Sequence, residues 1–247
     1  MFLIEQKEIY LFARIEKEHF FYRARRELVR YWLKLLFPDS GQKPIVIDAG
    51  VGTGILLQEI EDISSSVIGC DLFFDPKISK EYSRMVKANA TALPFPEHFS
   101  DATIALDLLE HLENDFLGLK ELKRITKPGG YLIVNVPSFS FLFSDWDQAV
   151  GHKRRYNKKQ LKALTEAIGL EIVFMRYVNS LPFLPIFLYR QMRFRVGLGK
   201  GERLEDKLPS HWLNQLLLKA FIAQGKKGSI SLPFGVSLFA VLKKPEN

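Results

Sequence analysis

The stretch Ile45-Val-Ile-Asp-Ala-Gly-Val-Gly-Thr-Gly54 decides the fold of this chain. Its first half, with the preceding proline, is a continuously apolar run of the kind found in strands buried on both faces of a parallel sheet. Its second half has glycine at alternate positions, which predicts a tight turn whose backbone lies bare toward a ligand. A dinucleotide-binding G-x-G-x-x-G loop starting at Gly50 would need its third glycine at position 55, where the chain has isoleucine. This departure counts against a nicotinamide-dependent enzyme.

Helix-like and strand-like patterns alternate on the carboxyl-terminal side of this stretch. Helical patterns cover 55–60, 79–87, 114–126 and 158–167. Strand patterns cover 66–70, 102–107, 131–136, 170–178 and 236–242, and the first strand covers 44–48. Such alternation with short turns predicts an α/β layer fold built on a parallel sheet.

The rest of the chain suggests one domain, 1–247, in three parts. Residues 5–37 are rich in helix formers and lack proline and glycine, so 1–40 is predicted to form an N-terminal helical lid. The α/β core occupies 44–178 and 231–243. Residues 179–230 break its rhythm, and we expect them to be an insertion that covers the substrate cleft.

Composition limits the setting in which the protein works. The chain has 247 residues, 47% of them hydrophobic, which is enough to bury one substantial core. Its single cysteine excludes an internal disulfide, and no Cys/His cluster has metal-ligand spacing, so no metal is expected. The opening residues lack the pattern of a signal peptide, and we expect a cytoplasmic protein. The net charge is +7, but the basic residues are spread along the chain with acids between them. The charge therefore does not by itself indicate a nucleic-acid partner. The oligomeric state is not readable from the sequence.

A second acid follows the second predicted strand. The carboxyl ends of parallel strands form one edge of the sheet, where ligands bind. Asp71 at that edge is placed to accept hydrogen bonds from both hydroxyls of a ribose. The alternative is that the glycines only form a turn and Asp71 caps a helix. Taken together, at this spacing, they predict a nucleoside-containing ligand.

In order along the chain, IVIDAGVGTG, VIGCDLF, KANATALPFPEHFSDATIALDLLEHL and KPGGYLIVNVPS resemble motifs of the class I S-adenosylmethionine-dependent methyltransferases. The resemblance covers roughly 44–178. It is to the small-molecule branch that includes the ubiquinone-pathway O-methyltransferases. It implies a Rossmann-like fold with a seven-stranded, mostly parallel sheet, helices on both faces and an antiparallel last strand. It also implies that S-adenosylmethionine is the cofactor.

The same resemblance assigns the cofactor-binding residues. The loop around the methionine part would consist of Asp48, Gly50, Gly52 and Gly54. Asp71, followed by Leu72, would bind the ribose, Asn89 and Ala90 would face the adenine, and Asp107 would lie beside the amino-acid end of the cofactor. The family usually has aspartate where Asn89 stands, but an amide oxygen can also accept a hydrogen bond from the adenine amino group.

On the acceptor side, methyl transfer to a hydroxyl needs a group that takes the proton, and histidine suits this task near neutral pH. His111 is one candidate, with a packed residue at a helix start as the alternative. His152, Arg155 and Tyr156 belong to a G-H-x-R-R-Y stretch that resembles one in a subset of these enzymes, and they are candidate substrate-side residues. The alternative for this stretch is a solvated basic turn that caps the next helix.

The N-terminal segment 19–28 also resembles a lid helix of that subset. Arg25 or Arg26 would then pair with the carboxylate of the cofactor. The alternative is an aromatic stripe that faces the core while both arginines point outward.

The function expected from these features is methylation of a small, hydrophobic or lipid-like acceptor, with O-methylation favoured. The insertion opens with an apolar run, 181–189, followed by basic residues, a combination that suits contact with an anionic membrane surface. Methylation of RNA or another nucleic acid is the alternative, although the chain has Asp107-Leu-Leu-Glu110 where base amino-methylating enzymes carry an Asn/Asp-Pro-Pro-aromatic turn. Cofactor binding without catalysis is a third reading.

Overall fold

The computed structural model of the protein describes residues 15–38, 42–73, 84–196 and 207–246. Within these residues the chain forms a seven-stranded sheet. The strands are β1 (Ile45–Ala49), β2 (Ser66–Asp71), β3 (Met85–Lys87), β4 (Ser100–Leu106), β5 (Thr126–Pro137), β6 (Glu171–Val178) and β7 (Ser237–Lys243). Their order in the sheet is β3-β2-β1-β4-β5-β7-β6.

The sheet is parallel from β3 to β5 and changes direction at β7. Strand β7 pairs antiparallel with β5 on one side and with β6 on the other. The predicted fold class, including the antiparallel last strand, is therefore confirmed. The order reverses at β1 and β4, and this is the place where open α/β sheets bind ligands.

Helices cover both faces of the sheet. They are α1 (Phe20–Leu36), α2 (Ile55–Ile60), α3 (Asp115–Ile125), α4 (Asp145–Ala149), α5 (Lys158–Ala167), α6 (Phe183–Val196) and α7 (His211–Gly225). One core layer contains Trp32 of α1 with Phe174 and Phe239 of the sheet. The other contains Leu122 of α3 and Leu161 of α5. Because both faces are covered, the central strands can be continuously apolar.

Helix α1 begins and ends where its sequence directs. The ring of His19 accepts a hydrogen bond from the backbone N–H of Phe21, which caps the first turn. The helix ends at Leu36, one residue before the Phe37-Pro38 pair, since a residue before proline disfavours helical geometry. The predicted helical part of 5–37 is confirmed for this segment, and residues 1–14 lie outside the described residues.

Two predicted elements differ from the structure. The helix expected over 79–87 is wrong at its end, because Met85–Lys87 pairs with β2 as an edge strand, and residues 79–83 lie outside the described residues. Strand β5 begins at Thr126, five positions before the expected start at Tyr131. The Lys-Pro-Gly-Gly segment, predicted to be a turn, belongs to β5 because the strand already pairs with β4 at Thr126, and the register between the two strands shifts after this pair. There a Cβ at Gly130 would lie 2.8 Å from the Asp101 carbonyl oxygen, so only glycine fits.

The segment 179–230 contains the last two helices, and they contact different parts of the molecule. Helix α7 packs on α1 and β6, and the Trp32 indole N–H donates to the Gly225 carbonyl oxygen at 2.9 Å. Helix α6 reaches the segment after β5, where the Arg190 guanidinium donates to the Leu142 carbonyl oxygen. The two halves of the segment are thus anchored separately.

Candidate active site

The glycine loop lies at the carboxyl end of β1 and has the backbone that its sequence predicts. Gly50, Gly52 and Gly54 all have positive φ, at 79°, 56° and 82°, which side chains other than glycine rarely tolerate. The N–H groups of Gly50 and Val51 both donate to the Cys70 carbonyl oxygen, at 2.8 and 3.1 Å. These bonds hold the loop against the end of β2. A side chain at Gly50 would come within 3.2 Å of Leu108, so the backbone here must remain bare.

Asp71 closes β2 and faces the loop. One carboxylate oxygen accepts from the Gly52 N–H at 3.1 Å, and the other accepts from the Phe73 N–H at 2.9 Å. Each oxygen keeps a second lone pair, so the carboxylate can still accept hydrogen bonds from a ribose. Leu72 lies beside it with 46% of its surface exposed, at the rim of the site.

A group of three acids surrounds the glycine loop. Asp48 is buried, and burial together with the charges of Glu16 and Asp71 raises its pKa to about 7. Glu16 accepts a 2.6 Å hydrogen bond from the Thr53 hydroxyl. The negative charge favours a cationic ligand. Sequence reasoning missed Glu16, because its position next to the loop depends on how the N-terminal segment folds over β1.

The two candidate arginines have different partners. Arg25 pairs with Asp107 at the end of β4, and Asp107 also accepts from the Asn135 amide at 2.6 Å. Arg26 points toward α2 instead, where its Nε lies 3.0 Å from the Glu59 carboxylate. The structure therefore brings Arg25 to the predicted site beside Asp107 and gives Arg26 a partner elsewhere.

Asn89 and Ala90 lie in the turn after β3. The Asn89 side-chain oxygen accepts from the backbone N–H and the hydroxyl of Thr91, at 3.0 and 2.9 Å. Ala90, the next residue, is buried. Both residues sit at the same strand-end edge as Asp71, because β3 pairs with β2.

The acceptor side is built around two histidines. The rings of His111, in a short 3-10 turn after β4, and His152, in the segment before α5, lie edge to face with centroids 4.7 Å apart. His152 is buried, and its Nδ1 lies 2.7 Å from a carboxylate oxygen of Asp147. Burial and the neighbouring His152 lower the pKa of His111. The charges of Asp71 and Asp107 act in the opposite direction, so His111 lies within electrostatic range of the predicted cofactor residues.

The buried carboxylate of Asp147 contacts several side chains on the acceptor side. Burial tends to raise its pKa, but the hydrogen bond with His152 and the charges of Arg155 and Arg190 outweigh burial and hold the pKa at about 2. Arg155 donates to both Asp147 oxygens, at 2.9 and 3.0 Å. Sequence reasoning missed Asp147, since an acid in a short helix with many polar neighbours carries no signal of burial.

His152 packs against His111, whereas the side chains of Arg155 and Tyr156 pair with acids, Asp147 and Asp115. Arg155 is almost fully buried beneath Asp147, and the Tyr156 hydroxyl donates to Asp115 at 2.8 Å. Burial and the charge of Asp115 raise the Tyr156 pKa. In this arrangement Arg155 positions His152 through Asp147, and Tyr156 anchors the segment to α3.

These residues fit S-adenosylmethionine, whose sulfonium and ammonium groups are cationic and whose carboxylate is anionic. The acids around the loop suit the cationic groups. The buried Nε of Arg25 has no hydrogen-bond partner within the described part of the chain, and it is a donor suited to a carboxylate. Asp48, the glycine loop, Asp71 and Arg25 are the residues that would hold the cofactor.

Comparison with known proteins gives the same family. Residues 47–134 match the model of the methyltransferase domain family. A probable S-adenosylmethionine-dependent methyltransferase of Mycolicibacterium smegmatis is 26% identical over 165 residues, which are 64% of this chain and 62% of that protein. A ubiquinone/menaquinone biosynthesis C-methyltransferase of Shewanella baltica is 34% identical over 122 residues, 42% of this chain and 48% of that protein. The chain thus spans about half to three fifths of the length of these relatives.

A solved structure shares the whole architecture. The SAM-dependent methyltransferase from Archaeoglobus fulgidus is 20% identical, with a TM-score of 0.57 over 95% of this chain and all of that one. This likeness concerns the fold. The matched segment and the related sequences support a class I S-adenosylmethionine-dependent methyltransferase, with S-adenosylmethionine as its cofactor.

Proposed function

We propose that the protein transfers a methyl group from S-adenosylmethionine to a small hydrophobic acceptor, with an acceptor oxygen as the favoured site. The observation that carries this proposal is the position of His111. It lies within electrostatic range of Asp71 and Asp107 on the cofactor side and packs against His152 on the other side. This position supports the proposal that His111 and His152 take up a proton next to the methyl donor.

The protein has little covalent chemistry to perform. When bound, the cofactor supplies a methyl group already activated by its sulfonium. The chain must align the acceptor, exclude water and take the proton that an acceptor hydroxyl loses. His111 and His152 are the titratable nitrogen groups on the acceptor side, and Asp147 fixes the ring of His152.

A second candidate is carbon methylation of a quinone-like ring. It is favoured by the Shewanella baltica relative, whose name describes C-methylation in ubiquinone and menaquinone biosynthesis. The same site suits both reactions, because an activated ring carbon also loses a proton when it is methylated.

Methyl transfer is tested with labelled S-adenosylmethionine and a fractionated cell extract. We expect label in a product that partitions into the organic phase. His152→Ala should lower turnover by a factor on the order of a hundred or more and leave cofactor affinity near wild type. The exposed His211 provides the control, since His211→Ala should be fully active. Normal turnover by His152→Ala would remove His152 from the chemistry, and label confined to RNA would favour the nucleic-acid alternative.

The insertion supports a hydrophobic acceptor and contact with a membrane surface. Helix α6 exposes Leu184, Leu188 and Met192, and α7 exposes Trp212 and Leu216. No helix in the described ranges is long and apolar enough to cross a bilayer. The side chains of Arg193 and Arg195, in the last turn of α6, lie outside the described residues, as do Lys200 and Arg203 between the two helices.

Membrane contact is tested by sedimentation with liposomes. We expect the protein to pellet with anionic liposomes at low salt and less at high salt, because the attraction of basic residues to anionic lipid is screened. Neutral liposomes serve as the control. A protein that stays in the supernatant at both salt concentrations has no such contact, and the exposed leucines would then serve the acceptor alone.

A further inference from the structure

Three side chains on the acceptor side converge in a way that the sequence did not predict. Glu110 and His111 are neighbours in the 3-10 turn after β4, and His152 comes from the segment before α5. One potential ligand atom from each residue lies within 4.8 Å of the other two. Glu110 Oε1 lies 3.8 Å from His152 Nε2. We propose that Glu110, His111 and His152 form a binding site for a divalent transition-metal ion of the zinc type.

The geometry is close to that of a three-ligand zinc site. Ligand atoms that lie about 2.0–2.2 Å from one tetrahedral ion are about 3.4 Å from each other. The three atoms need to approach by on the order of an ångström to reach that arrangement. Two histidines and one glutamate are a common catalytic zinc set, which leaves a fourth position for water or substrate.

Glu110 provides the second observation. Its side chain is fully buried, and neither carboxylate oxygen has a hydrogen-bond partner in the described part of the molecule. A buried carboxylate without a partner is costly, and structures retain such groups when something else satisfies them. A cation held between Glu110 and the two imidazoles would satisfy these oxygens.

The histidines are already oriented as metal ligands usually are. His152 Nδ1 is held by Asp147 at 2.7 Å, which leaves Nε2 directed toward Glu110. The His111 ring lies close to the backbone of Gly151. A carboxylate or backbone partner on the second ring nitrogen is the typical support of a metal-bound imidazole.

The donor set selects the class of ion. Two imidazole nitrogens favour zinc, cobalt, nickel, copper or iron, whereas magnesium and calcium prefer oxygen ligands. The Asp147 charge is balanced by Arg155 and Arg190, so Glu110 is the carboxylate that remains for the ion.

The role of the ion rests on the proposed function. A metal ion at the acceptor side would bind the acceptor oxygen and lower the pKa of its hydroxyl group, which eases loss of the proton. With the ion bound, His111 and His152 would act as its ligands instead of taking the proton themselves, and the proton would pass to water.

Binding is measured first without cofactor or acceptor. The full-length protein is stripped with a chelator, dialysed and titrated with ZnCl₂ by calorimetry and with CoCl₂ by visible absorption. We expect one equivalent of each ion and cobalt bands typical of a four- or five-coordinate site. MgCl₂ under the same conditions should not bind with comparable affinity.

Glu110→Gln and His111→Ala should each weaken Zn²⁺ binding by at least about tenfold. Glu110→Gln keeps the size of the side chain, and circular dichroism checks that both variants are folded. His211→Ala, on the exposed end of α7, should bind like wild type. Failure of the wild-type chain to bind Zn²⁺, or unchanged binding by both ligand variants, would overturn the proposal.

The metal site and the proposed function fail separately. Methyl transfer that persists after the chelator treatment, together with no Zn²⁺ binding, contradicts the metal site alone. Stoichiometric Zn²⁺ binding that depends on Glu110, in a protein that transfers no methyl group, contradicts the proposed function and leaves the site in place.

Discussion

Asp71 has two tasks at the scale of a single residue. Its carboxylate accepts one backbone N–H from the glycine loop and one from the chain that follows β2, so it ties the two strand ends together. We propose that the same oxygens also accept hydrogen bonds from the ribose of the cofactor. Substitution of Asp71 should therefore destabilise the cofactor-bound protein more than the free protein.

The first prediction concerns cofactor affinity. Asp71→Ala should weaken S-adenosylmethionine binding by about ten- to hundredfold, since a hydrogen bond to a charged group contributes roughly 1.5–3 kcal/mol. Gly52→Val should abolish binding, because it places a branched side chain in the loop at a positive φ. Calorimetry measures both variants, with Glu61→Ala, at the exposed residue directly after α2, as the control. Unchanged affinity in both folded variants would contradict the assigned cofactor site.

The site residues that follow from the strand pattern alone are the acids near strand ends, whereas Arg25 and His152 are predicted only through the family resemblance. Asp71 ends β2, Asp107 directly follows β4 and Asp48 is the second-last residue of β1, so a correct strand assignment places them. Glu16 and Asp147 could not be predicted, since they reach the site through the path of a helix or a loop. Only the fold reveals that Glu110 lies next to His152, forty-two positions away along the chain.

At the scale of elements, the start of α1 combines a cap with a buried titratable group. The His19 ring caps the helix and lies beneath the surface beside Arg25. Burial and the charge of Arg25 lower its pKa from 6.5 to about 4. The helix start is therefore stable only while this ring is neutral.

The second prediction is a pH dependence of stability. The unfolded chain takes up a proton on His19 near pH 6.5 and the folded chain only near pH 4, so its contribution is complete above pH 6.5 and is lost as the pH falls toward 4. Between pH 7.5 and pH 5 the wild type should lose about 2 kcal/mol more than His19→Asn, which keeps a capping side chain. Urea denaturation at both pH values measures the difference. His211→Asn should behave as wild type, and equal losses in all three proteins would refute the role of His19.

Elements that are long or continuously apolar could be predicted from the sequence. The helices at 55–60 and 158–167 have the predicted bounds, β2 and β6 differ by one residue at one end, and β7 is shifted by one residue at both ends. The three-residue β3 could not be predicted, since an edge strand of this length exists through its pairing with β2 rather than through its own pattern. The start of β5 was missed for the related reason that its first residues depend on the register with β4.

At the scale of the whole molecule, the insertion and the N-terminal helix support each other. The side chain of Asn214 on α7 accepts from the Phe20 N–H at 2.8 Å and donates to the Glu18 carbonyl oxygen at 2.9 Å. It thereby fixes the start of α1 from a position almost two hundred residues away along the chain. Helix α1 in turn carries Arg25 to Asp107. The insertion, predicted only to cover the cleft, is thus also coupled to the cofactor side.

The last prediction tests this coupling. Asn214→Ala leaves the buried Phe20 N–H without a partner, so the free energy of unfolding should fall by about 1–3 kcal/mol. Because the start of α1 loosens, Arg25 is held less firmly, and affinity for S-adenosylmethionine should fall severalfold although Asn214 lies outside the cofactor site. Urea denaturation and calorimetry on the same preparation measure both effects. Lys219→Ala, on the exposed face of the same helix, should change neither quantity. Lower stability with unchanged affinity would show that α1 keeps Arg25 in place without α7, and the insertion would then serve the acceptor side only.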